Sequence, residues 1–156
     1  MTDTQSNDTL QTIIRAPSLT AALRGLGYAF SVRLLYLGET ETPSENRFQT
    51  AFVRDVLLLL DGVAVIQARS RCRPDSLFWR SFLDCGTRPL GEKLFDGTLP
   101  LTRTPLEFSQ TDTAPDGKPL SQTAPIRQSR FYHQNDALTL TECFLPELLP
   151  FLNGKG

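Results

Sequence analysis

Two arginines, Arg54 and Arg69, are placed by their spacing on an apolar face of one predicted hairpin. Residues 52–71 form two apolar runs separated by Asp61-Gly62, a dipeptide typical of a two-residue hairpin turn. With that turn, Arg54 lies directly opposite Arg69. Like charges in facing positions are destabilising, and a buried guanidinium needs a partner. The pattern predicts either a bound anion beside the pair or a sheet edge where both side chains extend into water.

Glu142 is a third charge in an apolar row. It belongs to a second predicted hairpin, over residues 126–145, whose turn we place at Asn135-Asp136 because both residue types tolerate positive φ. This register puts Glu142 opposite Ser129 and diagonal to Arg127. Such a carboxylate is costly to bury unless it is paired, and it often has a chemical role. One interpretation is a structural salt bridge with Arg127; the other is a buried polar pocket for a small anionic ligand, which would explain the charges of both hairpins.

The sequence offers few residues for metal or cofactor chemistry. It has one histidine, and its three cysteines form no C-x-x-C pair, so a zinc site would need an unusual ligand set. No glycine-rich nucleotide motif and no G-x-S-x-G are present. We therefore predict a protein that works without a metal or a cofactor. The odd number of scattered cysteines argues against a disulfide scaffold and favours a reducing cytoplasm.

Length and charge exclude several other classes. A chain of 156 residues is the size of one domain, and 40% hydrophobic with 21% charged residues is ordinary globular composition. The net charge of −1 supplies no field for a phosphate backbone, so we expect no nucleic-acid partner. No apolar run reaches the ~18 residues of a membrane span, and the polar start of the chain lacks the order of a secretory signal. We expect no stable membrane insertion.

The elements that must position the charges alternate between helices and hairpins. We predict a single α+β domain, with a mainly antiparallel sheet of about six strands and helices packed on it that enclose a buried ligand pocket. A polar, disordered tail is expected over residues 1–8, the domain over 9–150 and a second tail over 151–156. Two long loops are expected over 38–47 and 111–125. The predicted elements are a helical turn near Leu10–Ile14, a helix after Ser18, a strand over 28–36, a helix that begins after Asp75 or Ser76, a helix after Pro89, a weak strand over 102–108, and the two hairpins.

An ordered set of short segments resembles bacterial chorismate pyruvate-lyase. The set comprises DVLLLLDGVAVIQAR over Asp55–Arg69, RPLG over Arg88–Gly91 followed by Leu94-Phe95, Ser129-Arg130, and TECFLP over Thr141–Pro146. The resemblance covers about Leu19 to Pro146. It implies release of pyruvate from chorismate to leave 4-hydroxybenzoate, the ring precursor of ubiquinone or plastoquinone, with no metal and no organic cofactor.

The resemblance also implies the site residues. Arg54 and Glu142 match the family's ligand contacts and are expected to be catalytic, with Glu142 binding the ring hydroxyl. Main-chain contacts correspond to Leu19 and Leu90, each directly after a helix-start signal where free N–H groups bind carboxylates. Apart from the resemblance, the predicted hairpin places Arg69 beside Arg54, and we expect it to add positive potential as a further substrate-binding residue. Chorismate and 4-hydroxybenzoate are the expected partners of a cytoplasmic, monomeric enzyme that its product inhibits.

Three other functions stay open at this point. The same fold could be a non-catalytic module that binds an aromatic carboxylate such as 4-hydroxybenzoate. It could be a lyase for another enolpyruvyl ring acid, which would differ only in the shape of the pocket. A purely structural role for the charges predicts that neutral variants of Arg54 and Glu142 fold at least as well as the parent.

Overall fold

The computed structural model describes residues 3–44 and 47–153. Its helices are α1 (Asp3–Ile14), α2 (Leu19–Arg24), α3 (Leu77–Leu83), α4 (Leu90–Leu94) and a closing 3-10 helix (Pro146–Asn153). Its strands are β1 (Phe30–Ser44), β2 (Arg47–Leu60), β3 (Val63–Cys72), β4 (Leu101–Arg103), β5 (Glu107–Thr113), β6 (Pro119–His133) and β7 (Asp136–Phe144). Within the described ranges, no helix has the length and apolar character needed to cross a membrane.

The strands form one antiparallel sheet in the order β1-β2-β3-β7-β6-β4, with β5 also paired to β6. The predicted fold class, a single α+β domain on a mainly antiparallel sheet, is confirmed. Two helix starts are confirmed as well, because the side chains of Ser18 and Ser76 accept hydrogen bonds from Ala21 N–H and Trp79 N–H. These caps fix where α2 and α3 begin.

The two predicted long loops are wrong. Most of residues 38–47 continue β1 and begin β2, and most of 111–125 belong to β5 and β6. The pairing of Gly38 with Val53 and of Thr111 with Ala124 shows that both ladders run through these polar stretches. Their abundant threonines are β-branched and suit a strand, and cross-strand pairing outweighs the loop-like composition.

Both ends of the described chain are also more ordered than the sequence predicts. Helix α1 begins at Asp3, inside the segment 1–8 expected to be disordered, while residues 1–2 lie outside the described part. Ile13 and Ile14 are buried and hold the end of α1 in the core, and a helix extends from such an anchored turn at little cost. At the other end Leu152 is buried in the same core, so the tail expected from residue 151 is part of the domain; residues 154–156 are outside the description.

The core has two clusters of buried apolar side chains. One packs α1, α2 and the 3-10 helix on the sheet, around residues such as Leu23, Val65 and Leu148. The other packs α3 and α4 on the opposite end of the sheet, around Trp79 and Phe131. A cavity lies where the two clusters meet, since members of both line it.

Helices α2 and α4 approach each other closely beside this cavity, and Gly91 permits the approach. A Cβ atom on Gly91 would lie 2.7 Å from Thr20 Oγ1 and 3.2 Å from Ser18 Oγ. We expect Gly91→Ala to push α4 away from α2 and lower the free energy of unfolding by about 1–3 kcal/mol, measured by urea denaturation. Gly25→Ala is the control, because its Cβ would meet Ala21 O and Ala22 O at an ordinary 3.4 Å. Equal losses in both variants would contradict this packing argument.

Candidate active site

The pairing of Arg54 with Arg69 predicted from the sequence is wrong. Leu59 faces Ala64 but Leu58 faces Ile66, so β3 contains one extra residue at this point. Such a bulge shifts the register by one residue, and the shift places Arg69 opposite Asp55 and Arg54 opposite Ser70. Asp61-Gly62 does form the predicted turn, with Asp61 at φ 48°.

Arg69 is held in an ion pair outside the cavity. Its Nε and Nη2 donate to the two carboxylate oxygens of Asp55 at 2.7 and 2.8 Å, and this bond raises the pKa of the guanidinium. Arg69 is not among the residues that line the cavity. The structure therefore does not bring it together with the other predicted substrate-binding residues.

Arg54 lies in the cavity wall and is 2% exposed. Its Nη2 donates to the carbonyls of Gly86 and Arg88 at 3.1 and 3.0 Å, while its Nε has no partner among the described residues. Burial lowers the pKa of the guanidinium. Among the described carboxylates, none forms an ion pair with Arg54. A buried cation with a free donor on a cavity is suited to bind an anion.

The turn of the second hairpin lies one residue earlier than predicted, at Gln134-Asn135, where Gln134 adopts φ 57°. Asp136 belongs to β7 instead, because its carboxylate accepts a short hydrogen bond from Ser76 and its carbonyl accepts one from Trp79 Nε1 at 2.9 Å. These contacts with α3 keep Asp136 out of the turn. The resulting register is offset by two residues, so Glu142 keeps its predicted face but pairs directly with Arg127.

Glu142 and Arg127 form a buried salt bridge, as one interpretation of the sequence predicted. Arg127 Nε lies 2.7 Å from Glu142 Oε1, and Arg127 is 1% exposed. Arg127 Nη1 also donates to the carbonyls of Ile14 and Ala16, at 2.7 and 2.6 Å, at the C-terminal end of α1. Among the described residues Glu142 Oε2 accepts no hydrogen bond. Both side chains line the cavity, so a structural pair and a polar pocket coexist here.

Arg103 is a further cavity residue that sequence reasoning missed. Its Nε and Nη2 donate to Ser129 Oγ at 3.2 and 3.1 Å, and its Nη1 donates to Pro17 O at 2.6 Å. Its guanidinium lies over the rings of Phe95 and Phe131, 5.2 and 4.8 Å from their centres. Burial lowers its pKa, while the Glu142 carboxylate acts in the opposite direction. Strand β4 has only three residues, too few for a recognisable alternation.

The cavity brings together four of the five predicted site residues, Leu19, Arg54, Leu90 and Glu142. Leu19 and Leu90 are the first residues of α2 and α4, and no described residue accepts a hydrogen bond from their N–H groups. The remaining lining residues are mostly apolar: Pro17, Thr20, Val32, Val56, Leu58, Ala68, Ser70, Gly91, Leu94, Phe95, Arg103, Arg127 and Leu140. Three arginines and one glutamate give the wall a formal charge of +2.

The cysteines differ in how accessible and acidic they are. Burial raises the pKa of the Cys72 thiol to about 11 and raises that of Cys143, whereas Cys85 is half-buried in the loop before α4. A pKa raised from 9.0 to about 11 lowers the thiolate fraction at pH 8 roughly 100-fold. Because Cys72 is buried and its thiolate fraction is lowered, we expect a thiol-specific reagent to modify the half-buried Cys85 before Cys72. Peptide mass mapping over time checks the order, which denaturant should abolish; early labelling of Cys72 would contradict it.

The chain is similar in sequence to known bacterial proteins. The chain is 42% identical over 106 residues to the probable chorismate pyruvate-lyase of Albidiferax ferrireducens, a match to 62% of this chain that spans about half, 53%, of that protein. It is 34% identical to the probable chorismate pyruvate-lyase of Shewanella sp. MR-4, covering 83% of this chain and 74% of the other. The corresponding Shewanella amazonensis protein is 31% identical, with 91% and 81% covered.

The chain belongs to the chorismate pyruvate-lyase family. No family model matches it. In this member of the chorismate pyruvate-lyase family, Arg54, Leu90 and Glu142 line one cavity. Across the described residues, no three histidine, cysteine, aspartate or glutamate side chains come together as a metal site would require.

Solved structures extend the likeness in fold beyond the chorismate pyruvate-lyase family. The C-terminal domain of the histidine utilization repressor from Pseudomonas syringae superposes with a TM-score of 0.56 at 11% identity, covering 76% of this chain and 93% of that one. The effector domain of PhnF from Mycobacterium smegmatis gives a TM-score of 0.55 at 10% identity, with 83% and 89% covered. At these identities the similarity shows the fold alone.

Proposed function

We propose that this chain is a cofactor-independent chorismate pyruvate-lyase, which converts chorismate into 4-hydroxybenzoate and pyruvate. The observation that carries the proposal is the charge of the cavity. Arg54, Arg103 and Arg127 against Glu142 leave two positive charges in the wall without a carboxylate counter-charge among the described residues, and chorismate is a dianion. Burying an unmatched charge is costly, so a dianion of the right shape would be strongly favoured here. Membership of the chorismate pyruvate-lyase family supports the same reaction.

In the proposed complex Arg54 binds the ring carboxylate. Both N–H groups of Nη2 are held by the carbonyls of Gly86 and Arg88, but Nε is free and already desolvated, so it can donate to the carboxylate that the guanidinium charge attracts. Leu19 and Leu90 line the same cavity, and their main-chain N–H groups would supply further donors. Arg69 takes no part, because its charge is matched by Asp55.

Glu142 binds the ring hydroxyl through Oε2, while Arg127 fixes Oε1. The ring carbon that carries this hydroxyl loses its hydrogen as a proton to Glu142, directly or by relay. The electron pair left behind completes the aromatic ring as the adjacent carbon–oxygen bond of the enolpyruvyl ether breaks. The departing enolate takes up one proton at its methylene carbon and becomes pyruvate. Atoms and electrons balance without an oxidant or reductant, so the protein has to orient the substrate and stabilise the charge on the departing oxygen.

The deciding experiment mixes purified protein with chorismate and follows 4-hydroxybenzoate by ultraviolet absorbance and pyruvate by a coupled assay, with and without a chelator. Equal amounts of both products, unaffected by the chelator, are expected. Absence of turnover together with tight binding of 4-hydroxybenzoate would instead indicate a non-catalytic binding module. Neither turnover nor binding would refute both functions.

A buried pocket that fits the product should also release it slowly. We propose that 4-hydroxybenzoate inhibits the enzyme, which acts as a cytoplasmic monomer and supplies the ring precursor of a quinone. Progress curves started with and without added product measure the inhibition. Curves that superimpose would contradict it.

A further inference from the structure

Chorismate has two carboxylates, and Arg54 accounts for one of them in the proposed complex. The second belongs to the enolpyruvyl group, whose ether oxygen is bonded to the ring carbon next to the one that carries the hydroxyl. When Glu142 binds the hydroxyl, the enolpyruvyl carboxylate must therefore lie on the Glu142 side of the cavity. A cation in that part of the wall would distinguish the substrate from the product, because 4-hydroxybenzoate lacks this carboxylate.

Two arginines, Arg127 and Arg103, border Glu142. They differ in whether a carboxylate already balances the charge of the guanidinium. Arg127 is matched by Glu142 itself at 2.7 Å, and its Nη1 is bonded to the carbonyls after α1. Arg103 forms no ion pair with any described carboxylate. Its contacts are neutral: Ser129 Oγ, Pro17 O and the faces of two aromatic rings.

The contacts of Arg103 also orient it for this task. The hydroxyl of Ser129 holds Nε and Nη2, Pro17 O holds Nη1, and the rings of Phe95 and Phe131 fix the plane of the guanidinium. Three of the five N–H donors of an arginine are thus used, and two remain for a ligand. A half-buried guanidinium that is fixed in this way binds a carboxylate without losing much side-chain freedom.

We propose that Arg103 binds the enolpyruvyl carboxylate of chorismate and is the residue that selects substrate over product. This inference rests on the proposed lyase function and extends it. Arg54 interacts with the carboxylate that substrate and product share, whereas Arg103 interacts with the carboxylate that leaves as pyruvate. When the enolpyruvyl group leaves, 4-hydroxybenzoate no longer offers a carboxylate to Arg103, so the product is bound more weakly than the substrate.

The test compares Arg103→Lys and Arg103→Met with the parent in two measurements. Steady-state kinetics give kcat and KM for chorismate, and calorimetry gives the Kd of two stable ligands: 4-hydroxybenzoate and its 3-carboxymethoxy derivative, which carries a second carboxylate next to the hydroxyl. We expect Arg103→Met to lower kcat/KM for chorismate and to raise the Kd of the dicarboxylate roughly 30-fold or more. The Kd of 4-hydroxybenzoate should change less than about threefold. Arg103→Lys keeps the charge without the planar fork and should lie between.

Controls separate binding from a structural role. Arg103 also donates to the carbonyl of Pro17, just before α2. A variant that merely disturbs α2 should therefore weaken the binding of both ligands equally, and that result would overturn the proposal. Unchanged kcat/KM in both variants would overturn it as well. Ser129→Ala removes the main hydrogen-bond partner of Arg103 and should produce a smaller loss confined to the dicarboxylate. If the parent protein shows no turnover of chorismate, the proposed function fails. If the parent turns over chorismate and the Arg103 variants do so equally well, only the role of Arg103 is refuted.

Discussion

Replacing Arg54 by methionine is expected to lower kcat/KM for chorismate by at least about 100-fold and to weaken the binding of 4-hydroxybenzoate as well. The side chain is buried on the cavity, has no carboxylate partner among the described residues, and keeps a free Nε donor. Substrate and product share the ring carboxylate, so both should lose the same interaction. This joint loss distinguishes Arg54→Met from the variants of Arg103.

The same substitution should leave the protein folded. Methionine fills a similar volume, and removing a buried cation without an acidic partner is often neutral or stabilising. The lost bonds to Gly86 and Arg88 act the other way, so we expect the Tm to stay within about 5 °C of the parent. Arg33→Met, an exposed position on β1, is the control and should change neither quantity. Turnover close to that of the parent in Arg54→Met would refute the role of Arg54.

Glu142→Gln is expected to reduce kcat about 100- to 10,000-fold, because an amide cannot accept the ring proton. Its oxygen can still face Arg127 Nε, and its shape is nearly that of the parent. Binding of 4-hydroxybenzoate should therefore change much less than kcat. Single-turnover kinetics with excess enzyme measure the chemical step apart from product release.

Stability is a second measurement on this variant. Glu142→Gln leaves the buried guanidinium of Arg127 without a counter-charge, which is expected to lower the free energy of unfolding by roughly 3–5 kcal/mol at most. Glu92→Gln is the matched control, because Glu92 lies on the surface of α4 and pairs with the exposed Arg24. A folded Glu142→Gln variant that retains kcat within tenfold of the parent would show that Glu142 only holds Arg127.

The sequence predicts the fold better than the registers that assemble the site. Helix caps and the Asp61-Gly62 turn are local signals, and each lies where the residues indicate. The register of β3 depends on an extra residue near Val65 that no local signal marks, and it decides whether Arg69 faces Arg54 or Asp55. The second turn depends on contacts between Asp136 and α3, about 60 residues away in the chain. Distant packing of this kind overrides turn propensity.

Most of the predicted site residues still line one cavity although both predicted registers are wrong. The second register is displaced by two residues, an even number, so Glu142 keeps its face. The first is displaced by one, an odd number, and Arg69 moves to the other side of the sheet. Arg103 was missed because its role depends on Ser129, Pro17 and two rings that only the folded chain brings together.

The bonds from Arg127 to the carbonyls of Ile14 and Ala16 have a consequence for biosynthesis. They join groups 113 and 111 residues apart. During translation, the N-terminal helix therefore emerges from the ribosome long before its anchoring donor is made. The helix lacks these two bonds until Arg127 in β6 has been synthesised. Closures over such sequence distances slow folding and prolong exposure to chaperones, so the nascent chain is at greatest risk of aggregation before β6 and β7 pair.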